Sequence, residues 1–141
     1  MRYWDSSAIM PLVVQESQSA SMLALINTDA AIATWWGTKV ACVSALARLE
    51  REQALDVRSM RAALARLEAL SQTWVEIPAL EDVRTHATRL LRTHSLRAAD
   101  ALQLAAAVIA SNFEPPSLLF VTLDQRLGDS AEREGFTVLD G

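Results

Sequence analysis

The sequence is poor in cysteine, histidine, glycine and proline. With a single cysteine, Cys42, the chain cannot form an intramolecular disulfide. One cysteine and two histidines, His86 and His94, are too few ligands for an ordinary structural zinc site. Both histidines are expected at the surface or in helix caps. Four glycines and four prolines leave little room for linkers. We therefore expect one globular domain over residues 1–141, in a reducing compartment.

Long apolar runs and excess positive charge are also missing. No run is long enough to cross a membrane, and the N-terminal segment lacks the apolar core of a signal peptide, so we expect a cytoplasmic protein with no membrane contact. A net charge of −4 gives no overall attraction to nucleic acid. Residues 48–97 nevertheless hold nine arginines against seven acids. This pattern is compatible with a phosphate-binding rim and equally with solvated helices.

The hydrophobic pattern alternates between short apolar segments and segments with one apolar face. Such alternation is typical of strands separated by helices. The predicted strands are Arg2–Trp4, Ala31–Thr34, Trp74–Ile77, Ser117–Thr122 and Phe136–Leu139. Five strands with helices between them favour an α/β fold, a three-layer α/β/α sandwich around a mostly parallel sheet.

One predicted helix, residues 98–110, is apolar on every face except at Asp100 and Gln103. A helix of this kind is normally buried, and about 13 residues are too few to span a bilayer. An ionised carboxylate in a buried helix is costly unless a cation or several hydrogen-bond donors meet it. Asp100 therefore requires a partner.

Two further acids follow predicted strands, Asp5 after the first and Asp124 after the fourth. Ligands of open parallel sheets bind beyond the carboxyl ends of the strands, so we expect Asp5, Asp100 and Asp124 in one crevice. Three acids without a neighbouring lysine or histidine repel one another, and Mg²⁺ or Mn²⁺ would relieve that repulsion. Simpler roles stay open: Asp5 and Asp124 can cap helices, and Asp100 can pair with Arg97.

Three segments carry a resemblance to a known family: Tyr3–Ala8, Leu96–Ala107 and Phe120–Leu127. In order and spacing they span nearly the whole chain. Together they make the sequence resemble a PIN-domain ribonuclease, and more narrowly a VapC-type toxin of a bacterial toxin–antitoxin pair. The resemblance implies a PIN-like fold and metal-dependent cleavage of RNA, with Mg²⁺ or Mn²⁺ held by the three acids and activating a water.

The same resemblance implies supporting residues and partners. Ser6 and Thr122 would position carboxylates or water. A homodimer is implied, together with a cognate VapB-like antitoxin that covers the helical region 38–70 and directs a basic side chain at the acids. Trp35 and Trp36, at the end of the second strand, either stack on an RNA base or pack in the core or at an interface.

The sequence departs from the family pattern at Ala41, where the family has a second acid, usually glutamate. Glu50 and Glu52 follow about 13–17 Å further along the helix, too far to bind the same ion. We therefore expect an inactivated ribonuclease, either by deliberate substitution, which would allow expression without the antitoxin, or by natural loss. The alternative is a catalytically dead RNA- or partner-binding module on the same fold.

Two other aspartate-dependent α/β classes fit poorly. A haloacid-dehalogenase-like phosphatase needs a second aspartate two residues after the first, where this chain has Ser7. A phosphotransfer receiver domain needs a lysine at the end of its last strand, and the only lysine is Lys39.

Overall fold

The computed structural model describes residues 1–141 and contains one parallel sheet. Its strands are β1 (Arg2–Trp4), β2 (Ile32–Trp35), β3 (Val75–Ile77), β4 (Phe120–Val121) and β5 (Val138–Leu139). Their order across the sheet is β3-β2-β1-β4-β5, and every neighbouring pair is parallel. The prediction of about five short strands in a parallel sheet is confirmed.

Seven α-helices connect and cover the strands. They are α1 (Ser6–Val13), α2 (Ser19–Thr28), α3 (Thr38–Arg51), α4 (Val57–Ser71), α5 (Glu81–Thr93), α6 (Ala98–Ala110) and α7 (Gln125–Arg133). None of these helices combines the length and the apolar character needed to cross a membrane.

The central strands β1 and β4 are buried on both faces of the sheet. Successive side chains of a strand point to opposite faces, and helices cover each face. Tyr3 and Phe120 pack into one hydrophobic cluster with α5, α6 and α7. Trp4 and Val121, the next residue of each strand, pack into a second cluster with α1 to α4. The predicted three-layer α/β/α arrangement is therefore confirmed.

The fourth strand is shorter than the predicted segment Ser117–Thr122. A 3₁₀ turn occupies Pro115–Ser117, and strand pairing is confined to Phe120 and Val121. Proline fixes φ and has no N–H to donate to a sheet, so the preceding Pro115-Pro116 pair delays the strand.

Helix α6 is buried as the sequence predicts, and its one buried polar side chain connects three elements. The Gln103 Oε1 accepts a hydrogen bond from the Tyr3 hydroxyl at 2.7 Å. The Gln103 Nε2 donates to the Thr38 Oγ1 at 3.0 Å. Gln103 thus holds α6 against β1 and the start of α3. Helix α6 carries Asp100, β1 is followed by Asp5, and α3 carries Ala41.

Candidate metal centre

The strand order reverses between β1 and β4, which lie side by side. In open parallel sheets the crevice beyond the carboxyl ends at such a reversal is the usual ligand site. Asp5 directly follows β1, and Asp124 comes three residues after β4. Asp100 lies in the first turn of α6. Asp5 and Asp124 therefore lie at the expected end of the sheet, and Asp100 is close enough to Asp124 for their charges to interact.

Asp5 is buried, with 3% of its surface exposed. The pKa of its carboxyl group is raised to about 6, mainly because burial disfavours the charged form, with a smaller contribution from the charge of Asp124. Hydrogen bonds from Ser7 and Thr122 oppose this rise. Although Asp5 precedes α1, its side chain makes no capping hydrogen bond. Asp5 is nevertheless the N-cap residue of α1 by position, and the Ser7 N–H is close enough to its carboxyl group to lower the pKa.

Asp100 and Asp124 lie within electrostatic reach of each other. Burial raises the pKa of Asp100, and the charge of Asp124 raises it again, while Arg97 and Arg126 lower it. No ion pair joins Asp100 to Arg97. One oxygen of Asp124 accepts a hydrogen bond from the Leu127 N–H at 3.1 Å and caps α7. The capping role of Asp124 is thus confirmed, and it occupies one of the two carboxylate oxygens.

None of the three acids has a basic partner within ion-pair distance. Their oxygen donors and mutual repulsion suit a hard divalent cation such as Mg²⁺ or Mn²⁺. As the side chains stand, however, no group of three or more His, Cys, Asp or Glu residues is close enough to hold a metal ion. The chemistry of the donors fits a metal, and binding would require the carboxylates to converge.

The hydroxyl that contacts Asp5 belongs to Ser7, which the sequence did not single out. The Ser7 Oγ donates to the Asp5 Oδ1 at 2.8 Å and accepts from the Leu123 N–H at 2.9 Å. No hydrogen bond involves the side chain of Ser6, for which this role was predicted. Both serines lie in the first turn of α1, and only the Ser7 side chain contacts Asp5 and Leu123.

Thr122 connects the Ser7 hydroxyl to the backbone of Asp124. Its Oγ1 lies 3.3 Å from the Ser7 Oγ and accepts a hydrogen bond from the Asp124 N–H at 3.0 Å. Thr122 is buried and also lowers the pKa of Asp5 by hydrogen bonding. Ser7 and Thr122 together fix the relative positions of the two chain segments that bear Asp5 and Asp124.

We expect Ser7→Ala to lower the free energy of unfolding by about 1–3 kcal/mol, because the Leu123 N–H and the Asp5 carboxyl both lose a partner. Ser6→Ala is the matched control and should change stability by less than about 0.5 kcal/mol. Urea unfolding of the two variants measures the difference. Equal effects at the two positions would contradict the role assigned to Ser7.

Ala41 lies near the start of α3 and is half-exposed. The neighbouring Cys42 is buried; burial raises the pKa of its thiol to about 12, and the charge of Asp5 contributes. Glu50 and Glu52 are exposed at the far end of α3. Neither glutamate affects the pKa of Asp5, which agrees with the prediction that they do not replace the missing acid.

Trp35 and Trp36 differ in exposure. Trp36 is 59% exposed and meets the half-buried Trp35 edge to face, with ring centroids 6.3 Å apart. Packing in the core therefore does not account for Trp36. Stacking on an RNA base stays a prediction.

The strand order and the helices on both faces are those of a doubly wound α/β fold and agree with the PIN-like class predicted from the sequence. The crystal structure of FitAcB from Neisseria gonorrhoeae superposes with a TM-score of 0.69 at 16% sequence identity. The match covers 99% of this chain and 97% of that chain. At this level of identity the likeness concerns the fold.

Sequence comparison narrows the class to a family. The chain is 31% identical over 151 aligned positions to "Ribonuclease VapC45" of Mycobacterium tuberculosis strain CDC 1551 / Oshkosh, covering 96% of this chain and 92% of that protein. The same figures hold for "Ribonuclease VapC49" of strain H37Rv. No protein-family model matches the chain. With this identity over nearly its whole length, the chain belongs to the VapC ribonuclease family.

Proposed function

We propose that the protein is a metal-dependent endoribonuclease toxin of a toxin–antitoxin pair, in a form inactivated by alanine at position 41. The observation that carries the proposal is that Asp124, at the reversal of strand order, raises the pKa of both Asp5 and Asp100, and that none of the three acids forms an ion pair. Membership of the VapC ribonuclease family supports RNA as the substrate.

In this proposal Asp5, Asp100 and Asp124 hold Mg²⁺ or Mn²⁺. The bound ion would supply an activated water and neutralise charge that develops on the phosphate. Ser7 and Thr122 keep Asp5 and the β4–α7 turn in register through the hydrogen bonds described above. Burial of Asp5 favours its neutral form below about pH 6, so cation binding would have to displace a proton there.

The proposed partners are RNA, a second copy of the chain and a VapB-like antitoxin. Beside the metal centre, Asp124, Asp129, Glu132 and Asp140 contribute to the lining of a pocket of about 210 Å³. Four acids in so small a pocket complement the charge of a basic side chain. This agrees with an antitoxin that directs such a side chain at the acids.

Ala41 also favours a second candidate function, a catalytically dead module that binds RNA or a protein partner. A methyl group cannot ligate an ion or accept a proton, so the chain provides three of the four acids of the family pattern. The two candidates make the same prediction for RNA binding and differ in whether restoring an acid at position 41 restores cleavage.

Titration calorimetry with Mn²⁺ tests the metal site. We expect the unsubstituted chain to bind the ion and Asp100→Asn to weaken binding at least about tenfold, because a charged ligand is lost. Asp82→Asn, an exposed residue of α5, is the control and should bind as the unsubstituted chain does. Unchanged affinity in Asp100→Asn would remove Asp100 from the site.

A further inference from the structure

The outer side of α7 carries a polar pocket that the proposed metal centre does not use. Its volume is about 370 Å³, and no apolar side chain lines it. The lining residues are Ser95, Gln125, Arg126, Asp129, Ser130 and Arg133. A pocket of this composition suits a charged, hydrated ligand.

The charges in this pocket are unbalanced and positive. Arg126 and Arg133 are seven residues apart on α7, so they share one face of the helix about 10 Å apart along its axis. Neither guanidinium group forms an ion pair. The one acid of the pocket, Asp129, accepts a hydrogen bond from the Gln125 Nε2 at 2.8 Å. The Ser95 hydroxyl makes no hydrogen bond and is a third available donor.

This basic pocket adjoins the proposed metal centre. Gln125 and Asp129 line both it and the acidic pocket that contains Asp124. Arg126 is close enough to Asp100 to lower the pKa of that carboxyl group. An RNA strand that extends from the three acids toward α7 would therefore meet Arg126.

We propose that Ser95, Arg126 and Arg133 bind a backbone phosphate of the RNA, one adjacent to the phosphate that lies at the three acids; this rests on the proposed function. Arginine presents several N–H donors in a planar fork that matches phosphate oxygens. A protein with a net charge of −4 repels RNA overall, so a local cationic site is needed to hold the strand beside a cluster of acids.

Binding of a short single-stranded RNA, followed by fluorescence anisotropy in EDTA from 25 to 200 mM salt, tests the pocket without requiring cleavage. The double variant Arg126→Gln/Arg133→Gln should bind about tenfold more weakly at low salt. The slope of log K against log salt should fall by about 0.7 for each phosphate that the variant no longer neutralises. Arg58→Gln/Arg61→Gln on α4 is the control, with the same change of charge on exposed residues at the other face of the sheet.

Three outcomes overturn the inference, and they are distinguishable. If the unsubstituted chain binds no RNA either in EDTA or in Mn²⁺, the proposed function fails and the pocket with it. If RNA binds and the α7 variant keeps the slope of the unsubstituted chain, only the pocket is wrong. If the α4 control weakens binding as much as the α7 variant does, the attraction is diffuse rather than local. Circular dichroism of each variant verifies that the fold is intact.

Discussion

The Ala41→Glu chain is expected to cleave single-stranded RNA in the presence of Mn²⁺ at least about 100-fold faster than the chain with alanine. Position 41 is next to Cys42 in α3, and the charge of Asp5 raises the pKa of the Cys42 thiol. A glutamate there would add the fourth acid of the family pattern to Asp5, Asp100 and Asp124. Rates of cleavage of a labelled RNA, with and without Mn²⁺, measure the gain.

Ala41→Gln is the matched control because glutamine has the size of glutamate without its charge. It should remain as inactive as the chain with alanine. Expression of Ala41→Glu without an antitoxin should also arrest growth, whereas Ala41→Gln should not. If Ala41→Glu is inert and harmless, the proposal that one missing carboxylate silences the protein is wrong.

In metal-free solution, Asp5→Asn is expected to be more stable than the unsubstituted chain by about 3 kcal/mol above pH 6. The pKa of Asp5 is about 6 in the folded protein against an ordinary value of 3.8, mainly because the carboxyl group is buried. Each pKa unit corresponds to about 1.4 kcal/mol. Asparagine keeps an oxygen that accepts from Ser7 and removes the charge.

The sign of this effect follows from proton binding. Between pH 4 and 6 the folded chain holds a proton on Asp5 that the unfolded chain has released, so stability falls as pH rises. Urea unfolding in EDTA from pH 4 to 8 should show the two chains equal near pH 4, diverging to pH 6 and parallel above it. Glu52→Gln, an exposed acid, is the control. A constant difference across this range, or greater stability of the unsubstituted chain at pH 8, would contradict the burial of an ionised Asp5.

The end of the sheet at which the acids lie could be predicted from the sequence because it depends on local signals. Short apolar segments define the strands, and the residue that follows a parallel strand lies at the carboxyl edge of the sheet. Asp5 and Asp124 could therefore be placed without a structure. The buried position of α6 could likewise be predicted from its apolar composition. The absence of an acid at position 41 could be recognised only from the resemblance to the PIN-domain pattern.

The side-chain contacts of the site could not be predicted from the sequence. They depend on the direction in which a helix begins or on residues that are far apart in the sequence. Ser6 and Ser7 are equivalent in a sequence, and only the first turn of α1 distinguishes them. His94 was predicted at the surface or in a cap. It is the C-cap residue of α5, as predicted, but its ring is buried, and its Nε2 lies 2.7 Å from the Oε2 of Glu134, forty residues later. The sequence held no signal for that pairing.

The central claim is that position 41 and the three acids act as one site. Its most direct test compares Mn²⁺-dependent cleavage of RNA by Ala41→Glu with cleavage by Ala41→Glu/Asp124→Asn. We predict that loss of Asp124 returns the rate to that of the chain with alanine, while circular dichroism shows an unchanged fold. Cleavage by the double variant as fast as by Ala41→Glu alone would contradict the claim.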